Sequence, residues 1–486
     1  MKFTPILALL LLLATGCRED FINLNPINAG STDQFYKSAN DMTNAINAVY
    51  AVLQSNGIAN SYYDFGDLPT DDAYASSNAC VAGHCDFDNL AVLPSGSVAS
   101  GILTSRWTDA YKGIYRANIV LNRITSVQMD ETRKGRIIGE AKFLRAFYYF
   151  TLVQTFGDVP LVTKELASPS DATTFGREPV AKVYAQIQQD LTEAASALPA
   201  TYATADAGRA TSGAANGLLG RVLLFQGKFS EALPLLKAVI DSKAYQLLPT
   251  YEDVFSPTKG NNAEILFSIQ YVRGGVGEGN LLTYQFAPEN SGNSVQIGGG
   301  NGSSRPTPDI EGAFEAGDLR KAITISPGYT TDQGVKVDAS WIRKFYDAGL
   351  VARGEGSVDY PILRYSDVLL MYAECLNETG NSNDGLTYLN TVRRRAGIPA
   401  KIGLSQTELR IAIEQERRVE LAFEGLRFFD LIRTNRAIPV LNAYFSKYKI
   451  QYQGVTLQFQ EYQKVFPIPQ DQIDVNPSKI TQNRGY

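Results

Sequence analysis

Leu218-Leu-Gly-Arg-Val-Leu-Leu-Phe-Gln-Gly-Lys-Phe-Ser-Glu-Ala-Leu-Pro-Leu-Leu236 fixes the architecture of this 486-residue chain. Leu219, Gly220 and Leu223 recur at helical steps, Gly227 breaks the run, and Ala232 and Leu236 resume it. A glycine between two such stretches lets one helix end and the next start antiparallel to it. The small residues, Gly220 and Ala232, mark where the two helices approach most closely.

That alternation of small and large packing residues is the spacing of a tetratricopeptide helix pair. It returns at Tyr372-Ala373, Leu376, Gly380, Gly385 and Leu389. Two units so far apart predict a scaffold of stacked helix pairs with other material inserted between them. Upstream, Phe35, Met42, Ile46, Val49 and Val52 have helical period, as do Trp107, Tyr111, Ile114, Ala117 and Leu121. A further helix is expected from about Glu131 to Phe156, stopped by Gly157-Asp158-Val159-Pro160.

Residues 245–362 differ in kind: glycine, proline, serine and aromatics dominate, with one strand-like run at Glu264 to Val272. Long irregular stretches on a rigid frame are where binding surfaces are built. Gly275, Gly277 and Gly279 imitate part of a nucleotide-binding run, but no helix pattern follows them, so they read as a flexible loop. The chain therefore divides into 1–16, a leader; 17–35, a tether; 36–244, a helical region; 245–362, an inserted loop-rich lobe; and 363–486, a second helical region. The fold class is mainly α.

Composition removes several functions. With 45 basic and 50 acidic residues the net charge is -5, which argues against nucleic acid as a partner. His84 is the only histidine, so serine–histidine hydrolysis and a multi-histidine zinc site are closed unless that residue serves. Cys80, His84 and Cys85 cluster without the paired spacing of a zinc site; a loop disulfide suits an oxidising envelope, and two free thiols are the other reading. Cys375 falls in an apolar helical pattern and reads as a small core residue.

The N-terminus sets the location. Lys2, the apolar run Ile6 to Leu13, and Ala14-Thr15-Gly16 ahead of Cys17 have the layout of an export signal too short to remain as a membrane span. Ending in Cys17, it resembles a bacterial lipoprotein signal, although Ala14 stands where leucine is usual. The resemblance implies acylation of Cys17 and a membrane anchor by lipid. Arg18-Glu19-Asp20 resembles the signal that sends lipoproteins of Bacteroidetes to the outer face of the outer membrane.

The densest charge pattern is Glu416-Arg-Arg-Val-Glu-Leu-Ala-Phe-Glu-Gly-Leu-Arg-Phe-Phe-Asp-Leu-Ile-Arg433. Glu416 and Glu420 lie on one helical face and repel unless cations are near. Arg417, Arg418 and Arg427 are at hand, so a half-buried ion network is expected. Read instead as catalytic carboxylates, the pair would need room for a sugar between them.

This segment resembles the SusD/RagB family of nutrient-binding surface lipoproteins. So do Trp107 to Asn118, Glu140 to Phe150 through Gly157 to Leu161, the tetratricopeptide-like pair at Gly220, Pro361 to Glu374, Pro467-Ile-Pro469 and the closing Gln482 to Tyr486. The resemblance implies an all-helical frame of four tetratricopeptide-like pairs, no catalytic activity and no cofactor. It also implies a SusC-like, TonB-dependent transporter as partner, with a glycan or oligosaccharide, or in some members a peptide, held at the joint surface.

Sugars are held by aromatic rings on their C–H faces and by polar side chains on their hydroxyls. Two loops offer both. Tyr62 to Tyr74 supplies Asp71, Asp72 and Tyr74; adjacent aspartates in extended backbone point to opposite sides, and one could bind a hydroxyl or a structural calcium ion. Tyr271 to Asn301 supplies Tyr271, Arg273, Tyr284 and Phe286. Trp107 and Trp341, the only tryptophans, belong to framework segments, so a glycan site here must rely on tyrosine, or the cargo is a peptide.

Overall fold

A computed structural model describes residues 35–275 and 277–486. The leader, Cys17, the Arg18-Glu19-Asp20 run and nearly all of the tether lie outside the described residues.

Helix α1, Ala39–Tyr50, starts at a capping box in which Ser38 and Asp41 bond each other's backbone N–H. It packs on α2, Val98–Arg123, which packs on α3, Glu131–Phe156. Gly157, at φ 72°, ends α3 where the sequence predicts. Next come α4, Val180–Ala197, α5, Ser212–Phe225, and α6, Phe229–Asp241, each packed on the one before. Helix α4 is absent from the expected set, although Val183, Ile187, Leu191 and Ala194 are buried at helical spacing with Val180 and Tyr184 packed beside them.

After α6 the chain departs for more than 120 residues and returns as α7, Tyr365–Glu378, packed directly on α6. α8, Ser382–Arg395, and α9, Gln406–Glu420, close the stack against α7. The pairs α1/α2, α3/α4, α5/α6 and α7/α8 are thus four successive layers of one helical frame. The excursion is tied at its root by an antiparallel pair, β1 (Ile265–Ile269) against β2 (Tyr360–Arg364), with Tyr360 opposite Ile269. The strand expected at Glu264 to Val272 is β1, and β2 straddles the expected lobe boundary at residue 362.

The turn glycines behave as read: Gly227 (φ 68°) and Gly380 (φ 88°) occupy left-handed backbone that side chains disfavour. Gly220 is small for a different reason, since a Cβ there would lie 2.6 Å from Leu236 Cδ2, itself wholly buried. Gly220→Val is therefore expected to destabilise the protein by about 1–3 kcal/mol through overpacking, read as a lowered denaturant midpoint. An unchanged midpoint would mean that the α5/α6 contact is looser than its geometry.

Candidate functional site

The Glu416 to Arg433 segment is helix only to Glu420; a turn through Gly425 (φ 70°) leads into α10, Arg427–Arg433. Glu416 and Glu420 are fully buried. Arg320 donates to Glu416 at 2.6 Å and to Glu420 at 2.9 Å, Arg393 donates to Glu416 at 2.9 Å, and Arg364 donates to Glu420 at 2.8 Å. Arg395 completes the shell of Glu420. The ion network is as expected, but its cations are not: Arg417 and Arg418 point away from this face of α9. Arg417 binds Asp367 at 2.6 Å and Asp430 at 3.1 Å instead. Neighbours in sequence lie about 100° apart around a helix, which is why proximity along the chain misleads here.

With every oxygen of the pair committed to guanidinium groups, no sugar fits between Glu416 and Glu420. Burial alone would raise the Glu420 pKa, but Arg395, Arg364 and Arg320 outweigh it and hold the carboxyl well below its usual range. Arg221 and Arg417 do the same for Asp367. Such depressed groups stabilise the fold fully above the unfolded carboxylate pKa and lose that contribution as pH falls through the folded value. Stability measured by urea denaturation is therefore expected to fall steeply below about pH 4. A flat profile down to pH 3 would contradict the charged state of these carboxyls.

Asp71 and Asp72 require a correction as ligand contacts. They are 2% and 0% exposed. Arg427 grips Asp71 with two bonds of 2.9 and 2.8 Å, while Arg418 reaches Asp72 at 2.6 Å, Asp71 at 3.0 Å and Asp309 at 3.0 Å. The backbone at 70–72 is bent, with the Asp72 N–H bonded to Thr70 Oγ1, so the two carboxylates converge on Arg418 instead of diverging. Phe286 is corrected likewise: it is 1% exposed and meets the rings of Tyr63 and Phe345 in the core. Tyr271 packs against the core, with burial pushing its phenol well up, and its N–H is taken by Asp359. Arg273 donates to buried Asp347 at 2.8 Å and stays partly exposed.

Tyr74 and Tyr284 are half-buried, on loops that the structure joins. Ala73–Tyr74 pairs with Arg305–Pro306, the Ser76 N–H donates to Gly302 O at 3.0 Å, and the Asn78 N–H donates to Glu289 Oε2 at 3.2 Å. Arg305 lies 5.6 Å from the Tyr74 ring centre. Arg353 covers one face of Tyr284 at 4.0 Å and bonds its hydroxyl. Within the first of these loops, Cys80 and Cys85 form a disulfide. Next to it His84 Nδ1 meets Asp64 Oδ1 at 2.6 Å. Burial disfavours the charged imidazole, but Asp64 outweighs that and raises its pKa.

The joined loops thus carry two half-buried rings, two guanidinium groups, a carboxylate and an exposed asparagine. Such groups stack on sugar C–H faces and bond hydroxyls. Arg305, Arg353, Glu289 and Asn78 were not singled out from sequence; Arg353 is 69 residues from Tyr284, and no spacing rule links them. Both tryptophans are buried, Trp107 at 4% and Trp341 at 5% exposure. Among the described residues no group of three or more His, Cys, Asp or Glu is placed to hold a metal ion, and no helix is long and apolar enough to cross a membrane.

Residues 23–224 match a family model described as starch-binding, associating with the outer membrane, and residues 313–486 match that of the SusD family. A SusD-like protein of Formosa agariphila, P25, is 27% identical over 96% of both chains, and one of Bacteroides ovatus is 28% identical over 89% of this chain and 82% of its own. Among solved structures, a laminarin binding SusD-like protein is 29% identical with a TM-score of 0.77, covering 93% of this chain and all of its own. A SusD homologue from Bacteroides thetaiotaomicron superposes with a TM-score of 0.80 over 94% of this chain and 99% of its own, at 24% identity. The two family matches take in most of both helical regions, and the chain belongs to the SusD/RagB family.

Proposed function

We propose that this protein is a lipid-anchored binding subunit at the outer-membrane surface that holds a glycan or oligosaccharide and passes it, uncut, to a SusC-like TonB-dependent transporter. The observation that carries this reading is the likeness along almost the whole chain to a protein named for binding laminarin. The Tyr74/Tyr284 face supports it, because its half-exposed rings and unburied polar groups suit hydroxylated cargo. The carboxylates that a glycosidase reading would use are enclosed by arginines. No cofactor is given a part in this function.

Isothermal titration against laminarin oligosaccharides, a wider glycan panel and a peptide pool tests the cargo. Micromolar binding to a glycan is the expected result. Binding to peptides alone would transfer the site to the peptide-capturing branch, which the burial of both tryptophans favours. Steady cleavage of any glycan would overturn the binding-only role. Tyr74→Ala and Tyr284→Ala are each expected to weaken binding by about 1–2 kcal/mol while thermal stability hardly moves. Unchanged affinity with a large fall in melting temperature would remove both rings from the site.

A further inference from the structure

Away from the loop face runs a groove of about 630 Å³ between α2, the segment 160–175 and the short C-terminal helix Gln470–Val475. Tyr111, Val162, Phe175 and Ile480 help line it, and Tyr115 and Val475 stand at its edge, 45% and 66% exposed. No ion network or ligand-face residue reaches it.

The described chain begins at one end of this groove. Tyr36 lies under the Arg123 guanidinium, 4.9 Å from ring centre to charge, and Arg123 also pairs with Glu165, the neighbour of Leu166 in the groove's wall. Asn118, which bonds the carbonyls of Val162 and Lys164, closes that end about 8 Å away along α2. The stretch of α2 from Trp107 to Asn118 that lines the groove is about 16 Å long, whereas residues 17–34 extended would reach about 60 Å.

We propose that the tether of this same chain, through Phe21-Ile-Asn-Leu-Asn-Pro-Ile27, occupies the groove as a strap. Ile22, Leu24 and Pro26 alternate with Asn23 and Asn25, so an extended strand turns three apolar side chains to the wall and two amides to water. Pro26 suits a strand that is not part of a ladder. Beyond Phe21 come Glu19 and Asp20. Lys112 on the groove's rim is exposed and has no ion-pair partner among the described residues. The accessible surface of these walls is mainly apolar, which suits aliphatic side chains. Strapping shortens the leash between Cys17 and the body from about 60 Å to the four residues 17–20, about 13 Å. The leash length rests on lipidation; the docking does not.

Hydrogen–deuterium exchange on the full mature-length chain carrying Cys17→Ser reads docking alone. Amides 21–27 are expected to exchange at least about tenfold slower than an unstructured chain. The double variant Ile22→Asp/Leu24→Asp is expected to speed exchange in 21–27 and in 160–175 together, with loops 74–90 and 284–306 unchanged; Asn23→Asp is expected to behave as wild type. Unprotected 21–27 amides in the wild-type tether would overturn the proposal. So would a double variant that leaves 160–175 untouched, or an added laminarin oligosaccharide that protects the groove walls.

Discussion

Glu420→Gln is expected to cost about 3–5 kcal/mol of stability, among the largest effects of any single change in the chain. Around Glu420, Arg320, Arg364, Arg393, Arg395 and Lys344 face Glu264, Asp318, Glu416, Glu420 and Glu424, and Arg393 also reaches Glu315 at the rim, which Lys401 pairs in turn. The balance is tight enough that burial already lowers the Lys344 pKa to about 8. Glutamine replaces a charged acceptor by an amide whose NH2 must face Arg364, Arg320 or Arg395, and the cluster is left one cation in excess without water. Guanidinium denaturation of the purified variant reads the loss directly. Whatever folded protein remains is expected to bind ligand with wild-type affinity, since the cluster lies apart from Tyr74 and Tyr284. Stability within about 1 kcal/mol of wild type would mean that Glu420 is neither buried nor charged as described.

Cys17→Ser is expected to shift the protein almost wholly from the membrane to the soluble fraction. Each buried methylene of an acyl chain contributes about 0.8 kcal/mol, so several chains hold a protein permanently, whereas the described residues offer no apolar helix able to do so. Fractionation in cells lacking the transporter is the decisive form of the experiment, because a bound barrel would retain the variant. Continued pelleting there would show that another contact holds the membrane. Protease treatment of intact cells then reads the side of the membrane, for which Arg18-Glu19-Asp20 is the reason.

Short-range physics was legible in the sequence and long-range pairing was not. Gly220 against Leu236, the turn at Gly227 and its counterpart at Gly380 depend on residues within a helix or two, where periodicity speaks. Helix α4, absent from the expected set, was nonetheless legible, since Val183, Ile187, Leu191 and Ala194 keep helical spacing. The charge clusters failed differently: that Glu416 and Glu420 need cations was readable, but Arg320 stands about 100 residues away. Asp71 finds Arg427 across 356 residues. An aspartate in a loop reads as available until its distant partner is known, so two candidate ligand contacts turned out to be framework. Tyr284 could be nominated because a tyrosine in a glycine-rich loop is conspicuous; Arg353, which covers its ring, had no local signal.

The disjunction between frame and loop face has a consequence for how such proteins diversify. The residues that hold the helices meet one another in sealed clusters, and those that would greet a cargo sit on segments near 74–90, 284–305 and 353; the first two are stitched together mainly by main-chain bonds, and a disulfide braces the first from within. Main-chain stitching is indifferent to side-chain identity. Side chains on these segments can therefore be exchanged for those of a relative with a different appetite while the body keeps its stability, making the face a natural acceptor for transplanted specificity.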